Sequence, residues 1–126
     1  GRVKSNFDYG IFLPIQHAAV AALTGPQDCV AAMAAEYERR RDIIVEGFNS
    51  FGWKAPRPKA SMYVWAPVPT KQDSFSFAAS LIENAGVAVV PGIGFGPHGE
   101  GYVRIALVQP QDRLREAVER IRKWLG

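Results

Sequence analysis

The sequence predicts an α+β fold: a short, mostly antiparallel sheet of about three strands, covered by helices and preceded by one long helix. Two observations predict it. The stretch VAVVPGIGFGPHGEGYVRIALV, residues 87–108, holds two apolar β-type runs on either side of a glycine-dense loop, and SMYVWAPVP supplies a third run. Around these lie segments whose apolar residues recur at helical spacing, so the order reads as two helices and then β-α-β-β-α. At 126 residues the chain suits one domain and can bury a real core.

Residues 1–12, GRVKSNFDYGIF, are aromatic and mixed without a clear period, and are expected to form an extended lead-in. LPIQHAAVAALTG follows as a short helix, with Pro14 in its first turn and Gly25 at its stop. Pro26 opens a long helix that Gly52 ends, with Val30, Met33, Tyr37, Ile44, Phe48 and Phe51 near helical spacing and Arg41 interrupting the stripe. About 26 helical residues would extend about 39 Å, whereas a compact chain of this size has a radius of gyration of about 14 Å. Helices of that length often bridge two bodies, and the chain begins with Gly1 rather than Met, so a piece trimmed or cut from something longer is expected. WKAPRPKA breaks the pattern before the first strand. In DSFSFAASLIENAG, Asp73 or Ser74 can cap the start of a helix and Gly86 its end. The last helix, PQDRLREAVERIRKWL, places Leu114, Val118, Ile121 and Leu125 on one face and dense charge on the other.

Composition narrows the classes. A hydrophobic content of 48% with 21% charged residues is ordinary for a soluble globular protein. No apolar run approaches the roughly 20 residues that span a bilayer, and no secretory pattern opens the chain, so no membrane partner is expected. Cys29 is the single cysteine; it excludes an intramolecular disulfide and fits a reducing cytoplasm. His17 and His98 lack cysteine partners, so no metal site is expected. The net charge of +3 permits nucleic-acid binding without arguing for it. Arg113, Arg115, Arg120, Arg122 and Lys123 alternate with Asp112, Glu116 and Glu119, which reads as a salt-bridged outer face rather than a nucleic-acid footprint. Arg39, Arg40 and Arg41 are expected on a solvated helix side near Glu36 and Glu38.

Gly92, Gly94, Gly96, Gly99 and Gly101 invite comparison with a phosphate cradle. Such loops run from a strand into a helix N-terminus, and here the strand YVRIALV follows instead, with no phosphate-loop lysine. A flexible hairpin connection is the plainer account, but it leaves Arg104 unexplained. Val103, Ile105 and Leu107 share one face of that strand, and Tyr102, Arg104 and Ala106 the other. If the second face meets solvent, Arg104 needs no partner. If it meets a cleft, the planar guanidinium is a carboxylate clamp that lysine could not copy. Tyr63 and Trp65 read as core or cleft wall rather than a base-stacking pair.

SNFDYGIFLPIQHAAVAAL, ERRRDIIVEGF, PKASMYVWAPVP, VAVVPGIGFG and YVRIALV together resemble the C-terminal part of a class I/II aminotransferase, a pyridoxal-phosphate enzyme of fold type I. The likeness covers essentially the whole chain and is closest to the alanine (glutamate–pyruvate) and LL-diaminopimelate aminotransferases. It implies that residues 1–25 are a lead-in and short helix packed on a large domain of the same polypeptide. Residues 26–52 would be the connector helix and residues 53–126 the small domain. It implies that Arg104 binds the α-carboxylate of amino and 2-oxo acids, that Pro91, Gly92 and Phe95 shape the rim of the active site, and that Ser5 and Asn6 lie near its dimer-shared side.

The resemblance also implies pyridoxal phosphate in a homodimeric, cytoplasmic parent enzyme of amino-acid metabolism, with alanine and 2-oxoglutarate the preferred substrate pair. The family's cofactor-bearing lysine has no counterpart here. Lys4, Lys54, Lys59, Lys71 and Lys123 sit in ordinary contexts, so no catalytic residue is expected in this chain, no covalent cofactor, and no activity from it alone. The competing expectation is a free-standing, non-catalytic α+β binding or interaction module.

Overall fold

The structure, a computed structural model, describes residues 1–7 and 10–126. It divides into two compact units, Gly1–Met33 and Ala34–Gly126.

The first unit contains α1 (Arg2–Phe7) and α2 (Leu13–Thr24). The expected extended lead-in is therefore helical over Arg2–Phe7, while Asp8 and Tyr9 of that lead-in lie outside the described residues. Within that helix Ser5 Oγ and Asn6 Nδ2 both donate to the Arg2 carbonyl, at 3.0 and 2.8 Å. Pro14 occupies the first turn of α2 and the chain leaves that helix at Gly25, as expected. Neither helix buries a residue, and Val3, Phe7, Ile11, Phe12, Leu13, Ile15, Val20 and Leu23 are exposed.

The long helix α3 runs over Asp28–Ser50, roughly 34 Å at 1.5 Å per residue. Its apolar stripe buries only Ile44, Val45 and Phe48, whereas Val30 and Met33 are exposed. The arginine cluster on α3 is only partly the solvated patch expected. Arg39 is exposed, but the Arg40 and Arg41 side chains retain 19% and 14% exposure. They are drawn in by the carbonyls of Leu107 and Pro58, to which they donate, while Glu36, Glu38 and Asp42 neutralise the cluster.

In the second unit, β1 (Tyr63–Pro67), β2 (Val90–Pro91) and β3 (Tyr102–Ala106) form an antiparallel sheet in the order β1-β3-β2. The run VAVVPG is expected as a full strand but pairs only at Val90 and Pro91; proline has no N–H for a ladder. One face of the sheet buries Val64, Ala66, Val103 and Ile105 in a single core. That core also takes Ile44 and Phe48 of α3, Phe77 and Leu81 of α4 (Ser74–Ala85), and Leu114, Val118 and Ile121 of α5 (Gln111–Leu125).

The predicted caps of α4 are in place. The Asp73 carboxylate accepts from Ser76 N at 2.9 Å, and Gly86 closes the helix in the left-handed region at φ 63°. On α5, Arg113 and Arg120 pair with Glu116 and Arg122 with Glu119, the salt-bridged face expected.

Candidate functional site

The sheet face opposite the core carries the candidate site. Central strand β3 pairs Arg104 with Trp65 on one side and with Val90 on the other, so these side chains share a face. The guanidinium carbon of Arg104 lies 4.3 Å from the centroid of the Tyr63 ring and 4.6 Å from that of Phe95. Trp65 stacks on Tyr102 at 5.7 Å and meets Phe95 edge-on at 5.6 Å. Arg104 thus sits in an aromatic surround, half-buried, without an ion pair among the described residues.

Its Nε is the one buried side-chain nitrogen or oxygen among the described residues that has no hydrogen-bond partner. Leaving such a donor unpaired costs about 1–3 kcal/mol. Ring faces satisfy the π-surface of a guanidinium but none of its in-plane N–H donors. A carboxylate approaching edge-on would satisfy them with two parallel bonds, which is the chemistry this arrangement can do.

Close packing of backbone on backbone explains Gly92 and Gly99 of the glycine loop, and positive φ explains Gly96 (109°) and Gly101 (80°). The loop folds into two 3₁₀ turns, Gly92–Phe95 and Pro97–Gly99. A Cβ on Gly92 would lie 1.9 Å from the Gly99 carbonyl oxygen, and one on Gly99 would lie 2.1 Å from that of Gly92. These two glycines therefore serve the contact between the loop's own stretches of backbone. Replacing Gly92 by alanine is expected to destabilise the fold by about 1–3 kcal/mol or more, as overpacking does, and to displace Phe95. Chemical denaturation of the variant checks this, and an unchanged midpoint would contradict it.

The loop is also tied to the start of α4. Glu100 accepts from Ser74 N at 2.7 Å, from Gly101 N at 2.7 Å and from Ser74 Oγ at 3.0 Å, and Ser74 Oγ accepts from Ile93 N at 3.2 Å. Those bonds, first the one from the Ser74 backbone, hold the Glu100 carboxyl below its ordinary value, despite desolvation and the nearby Asp73 charge. A carboxyl with a lowered pKa when folded adds stability that is complete above its unfolded value, near 4.5, and is lost as pH falls through the folded value. Glu100→Gln should therefore lower the thermal midpoint at pH 7, with the gap to the native chain closing on acidification below pH 4.5. A gap constant from pH 7 to pH 3 would contradict the assignment.

Of the residues singled out in the sequence, Arg104, Pro91, Gly92 and Phe95 come together around β3. Pro91 pairs with Val103 of that strand. Ser5 and Asn6 lie on α1, in the other unit, and bond to Arg2. Tyr63 and Trp65, expected as core or cleft wall, form the wall beside Arg104. Glu100 carried no signal in the sequence, because its partner Ser74 lies 26 positions away. Lys54, Lys59, Lys71 and Lys123 are exposed, as is Lys4. Among the described residues no group of three His, Cys, Asp or Glu could hold a metal ion, and no helix is long and apolar enough to cross a membrane.

Comparison with known proteins gives a consistent result. A family model described as aminotransferase class I and II matches residues 3–121. The LL-diaminopimelate aminotransferase of Moorella thermoacetica is 55% identical over 99% of this chain, and the glutamate–pyruvate aminotransferase AlaC of Escherichia coli is 49% identical over 96%. The chain spans about a third of the length of these curated relatives, 32% and 30% respectively. Among solved structures, substrate-bound BacF of Bacillus subtilis superposes with a TM-score of 0.87 at 37% identity, covering 98% of this chain and 32% of that one.

Proposed function

The chain belongs to the aminotransferase class I and II family, and from that premise we propose that it is the C-terminal small domain of an enzyme moving an amino group between an L-amino acid and a 2-oxo acid. Arg104 is its anchor for the substrate α-carboxylate. The supporting observation is the unpaired, buried Nε of Arg104 on an aromatic-lined sheet face.

The family implies pyridoxal phosphate in the full-length protein. This chain shows no cradle for that group: at Gly92 and Gly99 the glycine loop is closed by its own backbone. The parent's remaining residues are therefore assigned the cofactor, and this chain the substrate. Pyridoxal phosphate, when bound in the parent, supplies the electron sink for charge developing at Cα.

The contribution of this chain is geometric. A substrate held at its nitrogen by the rest of the enzyme still rotates about that attachment. Arg104, gripping the two carboxylate oxygens with a planar fork, removes that rotation and fixes which Cα bond faces the reacting groups. Tyr63 and Phe95 lie over the guanidinium and leave its in-plane N–H donors to the carboxylate. The exposed apolar side chains of α1 and α2 are proposed to pack on the large domain, and the polar Ser5 and Asn6 of α1 to lie near the shared active site of a homodimer. The lone exposed Cys29 suits a cytoplasmic setting.

Alanine with 2-oxoglutarate is the favoured pair, by likeness to the glutamate–pyruvate relative, and LL-diaminopimelate is the alternative donor. The test is to assay the full-length protein and the 126-residue chain side by side with both donors and added pyridoxal phosphate. Transamination by the full-length protein and none by the chain alone is expected. Turnover by the isolated chain, or none by the full-length protein with any amino donor, would overturn the proposal.

A further inference from the structure

Resting on the role proposed for Arg104, we infer that Ser74 and Glu100 are positioning residues for the carboxylate anchor, acting through the loop that carries Phe95. Ser74 is fully buried at the start of α4, and it is the one polar residue among the buried side chains described. Its hydroxyl donates to Glu100 and accepts from Ile93 N, while its own N–H is taken by the other oxygen of the same carboxylate. Glu100 further accepts from Gly101 N, just before β3 begins. Both ends of the glycine loop are thus fastened to one helix N-terminus, where free N–H groups and the helix dipole favour a carboxylate.

Ile93 and Phe95 belong to the same 3₁₀ turn. The Phe95 ring is one of the two that flank the Arg104 guanidinium, and Trp65 braces that ring edge-on. Releasing Ile93 from Ser74 frees the turn, and with it the ring that orients the fork. No bond runs from Ser74 or Glu100 to Arg104, so the effect is indirect and is carried by packing.

The test is a double-mutant cycle in the full-length protein at pH 7. Ser74→Ala and Glu100→Gln are each combined with Arg104→Ala. Two readouts are taken: KM for amino and 2-oxo acids, and the Kd of propionate, a carboxylate with no reacting group. Each single substitution is expected to raise KM and Kd about tenfold, short of the roughly hundredfold that an ångström of misplacement can cost, with kcat changing less than KM. In the Arg104→Ala background the same substitutions should leave both constants unmoved, because the group they position is gone.

Equal increases in the two backgrounds would reduce Ser74 and Glu100 to general stabilisers and overturn the inference. So would unchanged constants in both Ser74→Ala and Glu100→Gln while Arg104→Ala alone raises them. If Arg104→Ala itself leaves KM and Kd unchanged, the role of Arg104 fails first and the positioning role falls with it.

Discussion

Arg104→Ala is expected to raise KM for amino and 2-oxo acids in the full-length protein by roughly 30-fold to several thousandfold. That range follows from the 2–5 kcal/mol typical of removing one partner of a buried, hydrogen-bonded charge pair, at about 1.4 kcal/mol per tenfold. The expectation is large because nothing else on the sheet face can substitute. Val90 and Trp65, paired with Arg104 across the strands, carry no positive charge, and Tyr63 and Phe95 offer ring faces. Arg104→Lys should recover only part of the loss: an ammonium keeps the charge but cannot make two parallel bonds in the plane held by the two rings. Steady-state kinetics over both substrates measure this. A KM within a factor of about two of the native value for Arg104→Ala would remove the residue from the site.

The largest effect on stability is expected at Trp53. Its side chain is 2% exposed, stacks flat on Phe48 at 4.2 Å and 6°, and meets Phe77 edge-on at 5.5 Å. Its indole N–H donates to the Pro67 carbonyl at 2.6 Å. Trp53 thereby joins α3, α4 and the end of β1, so a hole at this position loosens the sheet that carries Arg104. Trp53→Ala should lose about 3–5 kcal/mol, a large part of the 5–15 kcal/mol that small domains have. Trp53→Phe keeps most of the stacking but leaves the Pro67 carbonyl unpaired, and should fall between the native chain and Trp53→Ala. Denaturant titrations give these values directly; a loss below about 1 kcal/mol for Trp53→Ala would contradict the packing described.

What could be read from the sequence was what local chemistry decides. Asp73 and Gly86 bracket α4 because capping is settled within a turn. The alternation of Val103, Ile105 and Leu107 with Tyr102, Arg104 and Ala106 separates core face from open face because strand side chains alternate strictly. Arg104 stood out for the same reason. The remainder depends on contacts between distant residues. That Gly92 and Gly99 must both be glycine follows from two backbones meeting, which residue spacing does not encode. Glu100 carries no signal in the sequence because its partner Ser74 is 26 positions away. Arg40 and Arg41 are drawn inward by carbonyls at Leu107 and Pro58, partners with no side-chain signature. The helix at Arg2–Phe7 was not legible because its residues, aromatic and mixed, carry no apolar period.

The most direct measurement is a crystal structure of the full-length protein with a non-reactive carboxylate analogue of the substrate. The account predicts two carboxylate oxygens at about 2.7–2.9 Å from Arg104, one on Nε and one on a terminal nitrogen, with Phe95 and Tyr63 still flanking the guanidinium. A carboxylate bound to another cation, with Arg104 Nε still lacking a partner, would contradict it.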